Sequence, residues 1–249
     1  MSVTSVDPRP ETPTVAAGVL LPVAGMAWLT VVLLVDSGAG LWVQRALGAV
    51  TWAVLLAVLR RETTLVRTQA WVVVAFATAV EYTFSPLLEV YLYRFENVPA
   101  YVPPGHGLVY LAALAIGRTD VVRRHLGRCA TAVVLAGGTY AAYGLWIAER
   151  TDVLGAFWFC CLLGFLAWGP SRGLYVGAFF VVTYLEVVGT ALGTWTWQPV
   201  DPTGLVPIGN PPSGAAGGYG WFDLAALLLA PRLLARRRTP VTAGAQRTV

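Results

Sequence analysis

Two glutamates stand where carboxylates are expensive. Glu81 and Glu186 each interrupt a long apolar run, and each lies fourteen residues beyond an arginine, Arg67 and Arg172 respectively. At ~1.5 Å per helical residue that offset is about 21 Å, at or slightly past the middle of a ~30 Å hydrocarbon layer. An ionised carboxylate at that depth costs at least ~2.5 kcal/mol even on lenient insertion scales, which makes such an acid a functional candidate by default. The competing reading is a protonated glutamate that hydrogen-bonds a neighbouring helix and serves packing alone. Glu81, Ser85 and Glu89 are spaced by four, as are Glu186, Thr190 and Thr194. Each trio therefore predicts a polar stripe facing a bundle interior, with Glu89 a further catalytic candidate. Asp223, in the last apolar run, either joins the two glutamates in one cavity, the reading favoured here, or caps the helix after the Gly-rich stretch 214–220. His106, within Pro103-Pro104-Gly105-His106-Gly107, either relays protons or is an ordinary interfacial histidine.

Aromatic residues accompany these acids. Of ten Trp, ten Tyr and nine Phe, many suit interfacial belts. Tyr82, Phe84, Trp158, Tyr184, Trp195 and Trp221 instead fall within or at the ends of apolar runs near the acids, and are expected, with His106, to line a substrate site. Aromatic faces stabilise positive charge, and apolar burial disfavours the ionised form of a carboxyl group, so an acid in such a pocket can act as a Brønsted acid. Together these are the requirements of proton-initiated alkene chemistry: an acid to protonate a double bond or epoxide, π-faces to hold the cation, and a base to remove a proton or direct a water. The substrate would be a lipophilic small molecule entering from lipid, an isoprenoid being the natural candidate, and no cofactor is expected.

The stretch from Glu186 to Trp197, E-V-V-G-T-A-L-G-T-W-T-W, followed by Val206-Pro207, resembles the E-x-x-G-x-x-x-G-x-(aromatic)-x-(aromatic) segment and later V-P of membrane carotenoid-biosynthesis proteins of the carotenoid hydratase type. The resemblance covers roughly the last third of the chain, with a weaker echo at Glu81; tryptophan stands here where that family usually shows tyrosine. It implies addition of water to a terminal isoprenoid double bond without a metal or organic cofactor. Small membrane-bound terpene cyclases are similar in pairing two intramembrane acids, so cyclisation and hydration both stay open.

The elements that must position these residues are apolar helices. Hydrophobic types make up 57% of the 249 residues and charged types 12%, against roughly 25% charged in a soluble domain. The expected fold is all-α and polytopic in the cell membrane, with eight spans at about 15–35, 41–59, 69–91, 105–116, 129–147, 153–168, 173–195 and 215–234. The fourth is short, and Pro103-Pro104 marks a re-entrant or partly unwound start. All seventeen basic residues are arginine. They gather after the even-numbered spans: Arg60, Arg61 and Arg67; Arg118, Arg123, Arg124 and Arg128; Arg172; and Arg232, Arg236, Arg237 and Arg238. The alternate connections, with Asp36, Arg94 and Glu96, Glu149 to Asp152, and Asp201, carry no net positive charge. This places both termini in the cytoplasm; a seven-span arrangement would put one basic loop on the wrong side. The clustering belongs to topology and not to nucleic-acid binding. No convincing signal-cleavage site follows the first run, so that span is expected to be retained.

The order Glu81, Val98-Pro99, Pro103-Pro104, Val109-Tyr110-Leu111-Ala112-Ala113-Leu114 is echoed by Glu186, Val206-Pro207, Pro211-Pro212, Phe222-Asp223-Leu224-Ala225-Ala226-Leu227. The reading is two like-oriented four-helix halves, 13–125 and 126–236, between disordered cytoplasmic tails 1–12 and 237–249. Cys129, Cys160 and Cys161 lack metal-ligand spacing and are taken as structural, His125 as solvated, and Asn97 and Asn210 as turn residues. The absence of D-D-x-x-D, G-x-x-x-x-G-K-[ST], H-E-x-x-H and histidine-rich motifs argues against magnesium-diphosphate, nucleotide and metal chemistry. Two readings compete with the enzyme: a small proton-coupled transporter, which duplicated halves and midplane acids also suit, and a non-catalytic membrane scaffold. A chain of this size also suits a homo-oligomer.

Overall fold

The computed structural model describes residues 15–238. Among them the chain is predominantly helical: α1 (Val15–Gly38), α2 (Leu41–Leu59), α3 (Thr64–Tyr82), α4 (Val102–Gly117), a short α5 (Asp120–Arg124), α6 (Leu126–Trp146), α7 (Val153–Trp168), α8 (Arg172–Ala191) and α9 (Ala215–Arg238). Two three-residue strands, β1 (Tyr91–Tyr93) and β2 (Trp195–Trp197), pair antiparallel with Tyr91 opposite Trp197 and Tyr93 opposite Trp195. Three stretches, Leu41–Leu59, Thr64–Leu87 and Arg172–Ala191, are long and apolar enough to cross a membrane; Val23–Gly38, Val102–Gly117 and Val153–Trp168 are shorter apolar helices. The expected tail 1–12 lies outside the described residues, as does 239–249, whereas the helix of α9 continues through 237 and 238.

Local chemistry explains the helix ends. Thr63 and Thr119 accept hydrogen bonds from the backbone N–H groups of Val66 and Val122, capping α3 and α5, and Asp152 accepts from Gly155 N to cap α7. The short fourth segment is not unwound. Pro103 and Pro104 fall in the first turn of α4, where the missing N–H groups have no intrahelical partner to lose. Past Tyr82, α3 widens into a π-helical turn, Thr83–Leu87, around Pro86, because proline removes a backbone donor and forces the ladder to shift.

The centre of the bundle is α4 and α8, which pack more extensively on each other than any other pair, with α3 on α9 next. Small residues permit the approach. Gly117 faces Gly173, and Gly177 sits so close to Ala113 that a Cβ there would strike the Ala113 carbonyl. These are small residues spaced by four on both helices, the packing device of close helix pairs. At one end of the bundle two buried aspartates fasten the connections. Asp36 accepts from Gln44 Nε2 at 3.0 Å and Tyr101 Oη at 2.9 Å, with Arg94 3.9 Å away. Asp152 accepts from the backbone N–H groups of Gly155, Gly209 and Ser213 at 2.9, 2.9 and 2.6 Å. Each aspartate thus ties its own connection to a segment distant in sequence, Asp36 to Tyr101 and Asp152 to Gly209 and Ser213.

Candidate functional site

The ribbon and the central helices line a partly open cavity of about 250 Å³. Its walls are apolar and aromatic, with contributions from Leu29, Val32 and Leu33 of α1, Phe76 and Val80 of α3, Val109 of α4, Trp158 of α7, Leu185 of α8 and Tyr219, Trp221 and Phe222 of α9. Two carboxyl groups enter it, Glu81 from the last turn of α3 and Glu186 from α8, and both are buried.

Each glutamate is gripped by the strand that follows its own helix. Glu81 Oε2 accepts hydrogen bonds from Tyr91 Oη at 2.8 Å and Tyr93 Oη at 2.9 Å. Glu186 Oε2 accepts from Trp195 Nε1 and Trp197 Nε1, both at 3.1 Å. Alternation along a strand puts residues i and i+2 on one face, so a Tyr-x-Tyr or Trp-x-Trp triplet delivers two ring donors to one carboxyl. The antiparallel register then sets the two pairs against each other, with the Tyr91 and Trp197 rings 4.5 Å apart. Arg150 holds β2 from behind, its Nη2 donating to the Trp197 carbonyl at 2.9 Å. Burial pulls the pKa of that guanidinium down, and Asp152 works against the shift.

Two further groups come from equivalent places in two helices. His106 is the fifth residue of α4 and Tyr219 the fifth of α9; their rings stack at 5.0 Å. His106 Nε2 lies 2.8 Å from Glu81 Oε1, while the Tyr219 hydroxyl hydrogen-bonds Glu186. His106 Nδ1 is buried without a hydrogen-bond partner.

The glycines of the E-x-x-G-x-x-x-G segment have separate duties. A Cβ on Gly189 would overlap the Trp195 indole, so the missing side chain is what lets that ring lie along α8 and reach Glu186. Gly193 has φ +66°, a left-handed conformation that turns the chain from α8 into β2 at little cost only for glycine.

Several expected site residues lie elsewhere. Glu89 is solvent- or lipid-facing with φ 53°, because the π-turn at Pro86 ends the four-residue periodicity that placed it in line with Glu81. Tyr82 is 55% exposed and is not among the cavity walls. Tyr184 is 40% exposed, its hydroxyl sharing a 2.8 Å hydrogen bond with Thr30. Asp223 is buried but does not line the cavity; it sits one helical turn beyond Tyr219 and does not cap α9. Ser85 is buried with its hydroxyl unpaired, and Thr190 and Thr194 bond backbone carbonyls of their own helix and its turn. Phe84, Trp158, Trp195, Trp221 and His106 do line the cavity. Tyr91, Tyr93, Trp197 and Tyr219 were not among the expected residues. The signals for Tyr91, Tyr93 and Trp197 were the two alternating aromatic triplets, nine to twelve residues past each glutamate; Tyr219, in α9, had no such signal.

No protein-family model, curated protein or solved structure matches the chain. What the cavity can do is therefore read from its own groups. An indole N–H donates and never accepts, whereas a phenol or an imidazole does both. Glu186 Oε2 is thus met by two fixed donors, which stabilise negative charge on that oxygen. Glu81 sits among groups that exchange protons, and with Oε2 taken by two phenols, a proton on this carboxyl belongs on Oε1, shared with His106. Among the described residues no group of three or more His, Cys, Asp or Glu could hold a metal.

Proposed function

We propose that the chain is an integral membrane enzyme that carries out proton-initiated alkene chemistry, cyclisation or hydration, on an isoprenoid or related lipid. The observation that carries this reading is the unlike pair of buried carboxyls on one aromatic-walled cavity. Glu81 is the acid. Its proton, on the side shared with His106, goes to the substrate double bond or epoxide, and the Tyr91 and Tyr93 hydroxyls stabilise the carboxylate left behind. The indole and phenol faces of Trp195, Trp197, Tyr219 and Trp158 hold the resulting cation. Glu186 is the base: it removes a proton from the cation, closing an alkene, or takes one from a water that adds to it. Both routes return one proton to the protein for the one given.

We further infer that the chain crosses the bilayer eight times in two like-oriented halves with both ends cytoplasmic. Support comes from helices at all eight apolar segments, from arginines after each even-numbered one, and from the matched placement of Glu81 and Glu186, β1 and β2, and His106 and Tyr219.

Expression in a polyprenoid-producing host followed by mass spectrometry of the extracted lipids tests the reading. Cyclisation yields an isomer of unchanged mass with a shifted retention time, and hydration a product heavier by one water. A lipid profile identical to that of the empty host, across hosts with different polyprenoids, would turn the assignment towards a carrier.

A further inference from the structure

The burial of its wall residues marks the sides on which the cavity is closed. On the ribbon Tyr91, Tyr93 and Trp197 are buried, as are His106 and Val109 on α4. The seam between α1 and α8 is shut as well. Leu29, Leu33 and Leu185 line the cavity there and are buried, and beside them Tyr184 Oη and Thr30 Oγ1 share a 2.8 Å hydrogen bond. Thr30 gives its own hydrogen to the Met26 carbonyl at 2.7 Å, so Tyr184 is the donor across the seam.

Two wall residues alone are exposed, Phe76 of α3 at 40% and Trp221 of α9 at 49%. Val80 and Phe84, which follow Phe76 along α3 and its π-turn at intervals of four, also line the cavity and are partly exposed, as is Trp158 of α7. Side chains that reach both the cavity and the surroundings form its mouth. Phe76 meets Phe222 of α9 edge-on at 5.3 Å, and Trp221 meets Phe165 of α7 edge-on at 5.3 Å. α3 and α7 each pack closely on α9 but barely on each other, so the mouth lies between α3 and α7, across α9. Counted from Arg67, Phe76 and Phe84 stand about 14 and about 26 Å along the helix, inside a ~30 Å hydrocarbon layer. The mouth therefore faces lipid.

The cavity, at about 250 Å³, is small for the proposed class of substrate. A dry cavity of ~150 Å³ takes one benzene ring, which scales to about ten carbons here, or about two isoprene units. We propose that a linear polyprenoid enters through the mouth between α3 and α7 and that its reacting end alone fills the cavity. The rest of its chain passes Phe76, Val80, Phe84, Trp158 and Trp221 into the bilayer. This rests on the reading of the chain as a membrane enzyme acting on an isoprenoid. The rim suits such a chain because it is apolar and aromatic: a hydrocarbon needs no hydrogen bond there, and the ring faces give it dispersion contact. A tail left in lipid also loses nothing by staying there, since lipid tails are as apolar as the rim. Glu81 follows Val80 directly and is buried, so the acid stands just inside the mouth, within reach of the chain end that enters first.

The test uses the full-length chain in liposomes. The probe is a linear polyprenyl hydrocarbon of six isoprene units with a photoreactive diazirine on the third unit from each end, just beyond the length that the cavity holds. Cross-linked residues are mapped by mass spectrometry with and without an excess of the same hydrocarbon lacking the diazirine; only labelling that the excess removes reports a site. Removable labelling is expected on the rim, at Phe76, Val80, Phe84, Trp158 or Trp221. Val80→Trp, which narrows the mouth, should lower it at least fivefold, whereas Val187→Trp, exposed on α8 and not among the cavity walls, should leave it unchanged. Removable labelling at Thr30 and Tyr184 instead would overturn the proposal, as would labelling that the excess leaves in place or equal rim labelling of the two variants. The wild-type map alone is decisive where Val80→Trp fails to fold. Labelling needs no turnover, so wild type that binds the probe at the rim yet converts no lipid of a polyprenoid-producing host would uphold the entrance and count against the acid and base assignment of the glutamates.

Discussion

Removing one hydroxyl from Tyr93 should slow the proposed lipid conversion without unfolding the protein. The Tyr93 hydroxyl lies 2.9 Å from Glu81 Oε2, beside that of Tyr91 at 2.8 Å. A hydrogen bond to a charged acceptor contributes about 1.5–3 kcal/mol, and it is strongest once Glu81 has given up its proton and carries full charge. Losing it raises the barrier to proton donation by up to that amount, which at ~1.4 kcal/mol per decade is a slowing of roughly 10- to 100-fold. The ring remains in Tyr93→Phe, so its edge contact with Trp195 at 6.2 Å survives, and the lost group leaves no donor orphaned. Tyr91→Phe should behave alike. Because both hydroxyls bond one oxygen, the double variant should not show the sum of the two effects in free energy. The assay is the initial rate of lipid conversion by mass spectrometry, with thermal unfolding followed in parallel. Rates within twofold of wild type for both single variants, alongside an inactive Glu81→Gln, would show that the phenols do not stabilise the carboxylate during proton transfer.

Gly189→Ala puts a methyl group into the Trp195 indole; the ring must leave its hydrogen bond to Glu186, and we expect conversion to fall at least tenfold, with tryptophan fluorescence reporting the displaced ring. Asp152→Ala orphans three buried backbone N–H groups at ~1–3 kcal/mol each, so thermal unfolding should move down by many degrees or the chain fail to accumulate, whereas Asp152→Asn, which keeps an acceptor oxygen, should lose less. Reporter fusions after Glu149 and after Arg238 should lie on opposite sides of the membrane; a same-side result contradicts the eight-span topology.

The helices were legible from apolar run length and the sites of Pro and Gly, and the two acids, which meet on one cavity, from their place inside apolar runs. What eluded a linear reading were the places where the chain leaves its helical period. Glu89 looked aligned with Glu81 until Pro86 shifted the ladder into a π-turn. Tyr82 and Tyr184 are each near one of the two cavity glutamates in sequence, but adjacent helical residues point about 100° apart, which sends both rings outward. Tyr91, Tyr93 and Trp197 belong to three-residue strands whose pairing joins segments distant in the chain, and so short a strand is stabilised by its partner rather than by local preference. His106 was visible as a rare residue, yet its bond to Glu81 depends on α4 beginning at Val102 as a regular helix, where two prolines pointed to an unwound start.

The most direct test is the lipid profile of a polyprenoid-producing host carrying wild type, Glu81→Gln or Glu186→Gln, each checked for insertion and folding. A product present with wild type and absent with both variants, at equal protein levels, is the predicted result. Full conversion by either glutamine variant would contradict the two-carboxyl mechanism.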